Sequence, residues 1–134
     1  MFKTDQGVEN LNLSGNQFSM KQSKLLSSMI GSQKCILRSL DLSFNDFKDT
    51  GIAALCPGLK QNKSLVSLNI ASNCFVNIGA QALIDALNQN VTLHRLNLTN
   101  NLLVQEMKDS LLEKVERNRN IKQDIEMPKI KKEA

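Results

Sequence analysis

Three cysteines and one histidine are the side chains of this 134-residue chain best suited to nucleophilic or metal chemistry. Metal ligation needs such residues clustered, and Cys35, Cys56, Cys74 and His94 are scattered through the sequence. Cys74 and His94 invite comparison with a thiol–imidazole dyad, in which nucleophile and base lie about 3 Å apart. Cys74 falls at the exit of one predicted strand and His94 at the entrance of the next, on the order of 20 Å apart along the strand direction. There is also no glycine-rich phosphate loop and no HExxH motif. The expectation is therefore a chain without a catalytic set, metal or cofactor. An odd number of cysteines without framework spacing points to reduced thiols, and so to the cytoplasm or the nucleus.

The polar residues that do recur in register are small ones. Asn16, Asn45, Asn73 and Asn101 stand 29, 28 and 28 residues apart. An amide carries both a donor and an acceptor, so this column suits a ladder serving turned-in backbone groups. A second column, Asn12, Asp41, Asn69 and Asn97, falls on the outward side of predicted strands, with Arg95 beside it and Arg38 and His94 bordering it. These seven residues are the predicted protein-binding set, a polar docking groove. The competing reading is a solvated sheet face, because small side chains offer little apolar area to bury.

The elements that must position both columns follow from the repeat. Residues Val8 to Phe18, Leu37 to Phe47, Leu65 to Phe75 and Leu93 to Leu103 share one pattern, giving repeats of about 8–36, 37–64, 65–92 and 93–120. A fixed period of this size signals a solenoid. The first half of each repeat alternates. Leu40 and Leu42, Leu68 and Ile70, and Leu96 and Leu98 point inward from short strands. Phe18, Phe47, Phe75 and Leu103 form the next core column. The second half has helical spacing, with Leu25, Leu26 and Ile30, then Ala54, Leu55 and Leu59, then Ala82, Leu83, Ala86 and Leu87, then Ser110, Leu111 and Val115 as its expected inner stripe. Asp49 and Asn77 sit where N-caps belong. Asn62, Asn90 and Asn118 sit at the helix ends, where asparagine suits a left-handed residue. Pro57 should kink the helix of repeat 2, and Gly58 should weaken it. One extra residue in repeat 1 lies near Cys35 and Ile36.

With a full helix per repeat and the consensus Leu-x-x-Leu-x-Leu-x-x-Asn, the chain resembles the ribonuclease-inhibitor-like class of leucine-rich repeats over roughly residues 8–121. That class includes the ribonuclease inhibitor, a GTPase-activating protein for a small GTPase, the sensor ends of cytosolic innate-immune receptors and the tropomodulin C-terminal domain. The resemblance implies an α/β solenoid arc, strands concave and helices convex, acting as a non-enzymatic protein-binding scaffold or adaptor. The alternative is a terminal structural segment of a longer repeat protein. The loop residues that GTPase activation depends on have no counterpart here.

Bulk properties agree. The basic excess is spread, with 9 basic and 6 acidic residues in 1–104 and 8 and 7 in 105–134, and there is no Trp or Tyr. Without a basic patch or interleaved aromatics, nucleic acid is disfavoured as partner. No apolar run approaches the ~18 residues of a membrane span. Residues 1–121 are read as the repeat domain and 122–134 as a degenerate C-terminal cap and polar tail. The first strand has no capping helix before it, which makes self-association through that edge an expectation.

Overall fold

The computed structural model describes residues 7–126. Strands and helices alternate as β1 (Asn10–Asn12), α1 (Met20–Gly31), β2 (Ser39–Asp41), α2 (Lys48–Gln61), β3 (Ser67–Asn69), α3 (Asn77–Leu87), β4 (Arg95–Asn97) and α4 (Gln105–Glu126). The strands form one parallel sheet in sequence order, with Leu11, Leu40, Leu68 and Leu96 in register. Parallel neighbours need a crossover between them, and each helix supplies one. The result is an α/β solenoid, sheet on one side and helices on the other. Its core lies between them. Leu40, Leu42, Leu68 and Ile70 are buried from the sheet, and Ile52, Leu55, Leu59, Leu83 and Leu87 from the helices.

Burial weakens towards both ends of the sheet. Leu11, Leu13 and Leu96 are only partly buried, where their counterparts Leu40, Leu42 and Leu68 are enclosed. A central strand has neighbours on both sides and an edge strand on one.

After each strand the chain reverses through a left-handed residue, Gly15, Phe44, Ser72 or Asn100. Three of these four are not glycine, at a cost of roughly 1–2 kcal/mol each. Backbone bonds from Gly15 to the Ser43 carbonyl, Phe44 to Ala71 and Ser72 to Thr99 hold the turns in line. The asparagine beside each turn completes the wiring. Asn45 accepts from the amides of Asn16 and Phe18 and donates to the carbonyls of Leu13, Leu42 and Ser43. Asn73 and Asn101 repeat the arrangement one and two repeats on. Among the described residues, Asn16 in the first repeat is exposed and donates within its own turn, to Leu13 and Ser14.

A second asparagine ladder runs along the opposite ends of the strands. Asn62, Asn90 and Asn118 are almost fully buried. Asn62 is extended, at φ −68 and ψ 136, and not left-handed as its sequence position suggests. Its amide donates to the Ile30 carbonyl of the preceding repeat and accepts from Ser64 and Leu65. Asn90 does the same with Leu59, Thr92 and Leu93. Asn118 donates to the carbonyls of Asn90 and Leu93. Asn62 therefore ends α2 as its C-cap, and all three asparagines also tie repeat to repeat.

Three other expectations need correction. Leu25 does not belong to the inner stripe, being 73% exposed, and Ala54, Ala82 and Ser110 in its column are only partly buried. The buried position lies three residues before Leu26, Leu55 and Leu83, at Ser23, Ile52 and Ala80. A helix facing both a sheet and a neighbouring helix buries a broader arc than one adjacent pair reveals. Secondly, Asp49 and Asn77 do not cap their own helices. Asp49 accepts from the amides of Val76 and Gly79, so it caps α3, and Asn77 accepts from Val104, just ahead of α4. Thirdly, the last helix is not confined to the bounds of repeat 4, since α4 continues through Ile121 to Glu126. The remainder of the expected polar tail, residues 127–134, lies outside the described residues.

Pro57 is inside α2, which continues to Gln61. Gly58 beside it is a packing requirement and not a weak point. Its amide donates to Ser27 Oγ at 2.7 Å, and a Cβ there would lie 2.1 Å from the Ser27 carbonyl oxygen. Gly31 faces it from α1, 3.2 Å from Gly58 Cα to an added Cβ. Glycine lets the two helix backbones meet. Gly58→Ala must push α1 and α2 apart and should cost about 3 kcal/mol or more, at the upper end of overpacking penalties. Urea unfolding monitored by circular dichroism measures this, and a loss below about 1 kcal/mol would contradict the close approach.

Candidate functional site

The outward face of the sheet is made by the first and third residues of each strand, because alternate side chains of a strand point to opposite faces. Asn12, Asp41, Asn69 and Asn97 stand there side by side, the register pairing Asn12 with Asp41, Asp41 with Asn69 and Asn69 with Asn97. Each also turns its own strand end. The side-chain oxygens accept from the amides of Ser14, Ser43, Ala71 and Thr99, two residues on. Ser43 Oγ and Thr99 Oγ1 add hydrogen bonds to Asp41 at 2.6 Å and Asn97 at 2.8 Å. One oxygen of each column member is thus committed to structure. What remains for a ligand is a row of amide nitrogens from three asparagines and the second carboxylate oxygen of Asp41.

Arg95, exposed, meets Asn69 and Asn97 around a cavity of about 490 Å³. Lys108 and Leu112 of α4 form its far wall. Arg38 and His94 are not part of that cavity. They line a separate groove of about 700 Å³ at the entrance ends of the strands, with Glu9, Cys35 and Lys63. The seven residues predicted from sequence therefore divide between two places. Asn12 and Asp41 complete the outward column towards β1, Asn69, Arg95 and Asn97 gather beside β4, and Arg38 and His94 face the groove.

Sequence reasoning overlooked Lys108, Leu112, Lys63 and Phe44. The first two belong to α4, on the flanks of the inner stripe that the repeat pattern predicts there. Lys63 has a readable signal, since Cys35, Lys63 and Val91 occupy one column just ahead of the motif. Phe44 is 68% exposed while Phe47 and Phe75 are enclosed. It lies at the turn after β2, next to Ser43, where the motif tolerates any residue. A large aromatic exposed at that point is out of keeping with the small polar residues around it.

All three cysteines are free thiols. Cys35 is half-buried, with Asn62 Nδ2 and Ser64 Oγ each 3.7 Å from its sulfur. Cys74 is exposed in the turn after β3. Cys56 is buried and donates to the Ile52 carbonyl. Burial pushes its thiol up to about 12 from 9.0, the Lys60 charge lowering it less and Asp85 raising it further. Among the described residues no group of three or more His, Cys, Asp or Glu is placed to hold a metal ion. No described helix is long and apolar enough to cross a membrane.

Comparison with known proteins fixes the class. A family profile described as Leucine Rich repeat matches residues 33–56 and 61–83, and a second one matches residues 7–29. The chain carries leucine-rich repeats, and its fold is the leucine-rich-repeat α/β solenoid. Among solved structures it is similar to the leiomodin-1 actin-binding site 2, with a TM-score of 0.75 and 16% identity over 98% of this chain and 92% of that one. It is also similar to the tropomodulin C-terminal domain of Caenorhabditis elegans, at 0.57 and 16% over 94% and 93%. No curated protein matches it in sequence.

Thiol reactivity should follow this burial. Cys74 should be alkylated first, Cys35 more slowly and Cys56 only on unfolding, because the thiolate is the reactive form. Mass mapping of iodoacetamide-treated native protein gives the order. Stability drawn from neutral Cys56 is whole below pH 9.0 and is lost as pH climbs towards about 12, since the unfolded chain gives up that proton first. Early labelling of Cys56 at neutral pH would contradict its placement.

Proposed function

We propose that the chain is a non-enzymatic protein-interaction scaffold or adaptor of the ribonuclease-inhibitor-like class, working in the cytoplasm through the outward strand face. One observation carries this reading. Four strands in register place Asn12, Asp41, Asn69 and Asn97 in a single polar row, with Arg95 beside it and a cavity at its β4 end. Rows of amide donors flanked by one acid and one base fit a polar protein surface better than a small molecule. Phe44 at the rim supplies an apolar anchor of the kind that dominates interface energies. Free thiols fit a reducing compartment. Leiomodin-1, at 16% identity, is matched over a part named for actin binding, which makes actin the first partner to test.

A second reading has its own support. Val8, Leu11, Leu13 and Phe18 are packed against the core yet only partly buried, and Asn16 is exposed. That edge suits another repeat or a second copy of the chain, as it would in a segment of a longer repeat protein. Adding upstream repeats should then raise the melting temperature and suppress self-association, read by calorimetry and sedimentation.

The interaction surface is tested by Asp41→Asn with Arg95→Glu. Asparagine keeps an oxygen for Ser43 while the charge goes, so the melting temperature should stay within a few degrees. Partner capture, beginning with actin co-sedimentation, should weaken about tenfold. Phe44→Ala should weaken it similarly without loss of stability. Capture that survives both changes but fails when exposed Gln81 and Asp85 on α3 are altered would move the site to the helices.

A further inference from the structure

We propose that the groove along the entrance ends of the strands is a second docking surface, fitted to an extended acidic peptide bearing aliphatic side chains. The groove is about 700 Å³ and takes residues from every repeat, from Glu9 ahead of β1 to Ile121 on α4. It lies at the opposite ends of the strands from Phe44 and apart from the cavity around Arg95, so it goes beyond the outward-face reading.

Its lining has two characters. Ile36, Val91 and Ile121 are exposed at 43%, 47% and 38%. With half-buried Val66 they make an aliphatic floor. Single exposed aliphatics are ordinary, but three along one groove, with Val66 between them, are a surface that gains from being covered. Above the floor the charge is one-sided. Arg38 and Lys63 line the groove and are both exposed. Arg119 of α4 donates to the His94 backbone carbonyl, which brings a third cation to the α4 end. Among the described residues Glu9 is the one acidic residue of the lining, and it sits at the β1 end. The central and α4 portions are therefore basic.

Size and chemistry select the occupant. Crossing four strands and reaching α4 spans about 20 Å at ~4.8 Å per strand, or roughly six residues of extended peptide. Carboxylates would meet Arg38, Lys63 and Arg119, while alternate aliphatic side chains would cover the floor. A nucleic acid would find cations but no aromatic ring on which to stack a base.

The test uses the full chain. It is panned against a random-peptide display library, and enriched peptides are synthesised and titrated by fluorescence anisotropy. They should combine several Asp or Glu residues with Leu, Ile or Val. Arg38→Glu with Lys63→Glu should weaken them about tenfold or more and flatten their salt dependence, without changing the circular dichroism. Val91→Asp, which places an acid in the floor, should weaken them independently should the double variant fold poorly. Asp41→Asn with Arg95→Glu should leave peptide binding intact whether or not the outward face binds a protein. Three results would overturn the proposal. One is a library that yields no acidic–aliphatic peptides, or yields peptides indifferent to the groove variants. Another is a single-stranded oligonucleotide that binds the groove more tightly than any peptide. The third is a concentration-dependent dimer dissolved by the groove variants, which would make a second copy the occupant.

Discussion

Backbone amides and carbonyls that turn away from a strand must find partners or be left buried without them, at about 1–3 kcal/mol each. A strand of three residues followed by a helix creates this problem twice per repeat, once at each end. The protein meets it with asparagine at both places. Asn45, Asn73 and Asn101 serve the exits of the strands, and Asn62, Asn90 and Asn118 serve the entrances. Because each amide reaches into the neighbouring repeat as well as its own, satisfying the backbone also stacks the repeats. The register of the sheet, the alignment of the outward column and the continuity of the groove all depend on these two ladders.

The apolar core fills the space the ladders define. Helix follows helix on one side, and the contacts run α1 to α2, α2 to α3 and α3 to α4. Where α1 and α2 come closest, the requirement is for absence of a side chain, at Gly31 and Gly58. Arg117 performs a related service at the other end, donating to the carbonyls of Leu87 and Asn90. A charged residue on α4 thereby serves the Leu87 carbonyl as Asn62 and Asn90 serve those of Ile30 and Leu59 in the earlier repeats.

Much of this was legible in the sequence and some was not, for identifiable reasons. Alternation of Leu40 with Ser39 and Asp41 is enough to give a strand and its buried face. The recurrence of Phe18, Phe47 and Phe75 is enough to give the period. The inner stripe is misplaced at Leu25 because the pattern of one helix leaves its rotation open, and the sheet and the next helix decide which of two adjacent apolar residues is covered. Asn62 was misread because asparagine suits a left-handed helix end as well as a buried bridge. The identity of its partner, Ile30 in another repeat, is tertiary information. The outward column was found by register alone, whereas the separation of Arg38 and His94 from it depends on how side chains at the strand entrances lean. Phe44 stood in a position where the motif constrains nothing, so no pattern drew attention to it.

The caps that cross between repeats give the solenoid a direction. Asp49 of α2 holds the start of α3, and Asn77 of α3 holds the residue ahead of α4. In every case the acceptor belongs to the earlier repeat and the donors to the later one. Each cap is thus a hook in one repeat and an eye in the next, the reverse of the exit ladder, where Asn45 accepts from Asn16 and Phe18 of the repeat before it. Gln105 occupies the next place in the column, and its side chain bonds to Asp109 of its own helix instead of reaching outward.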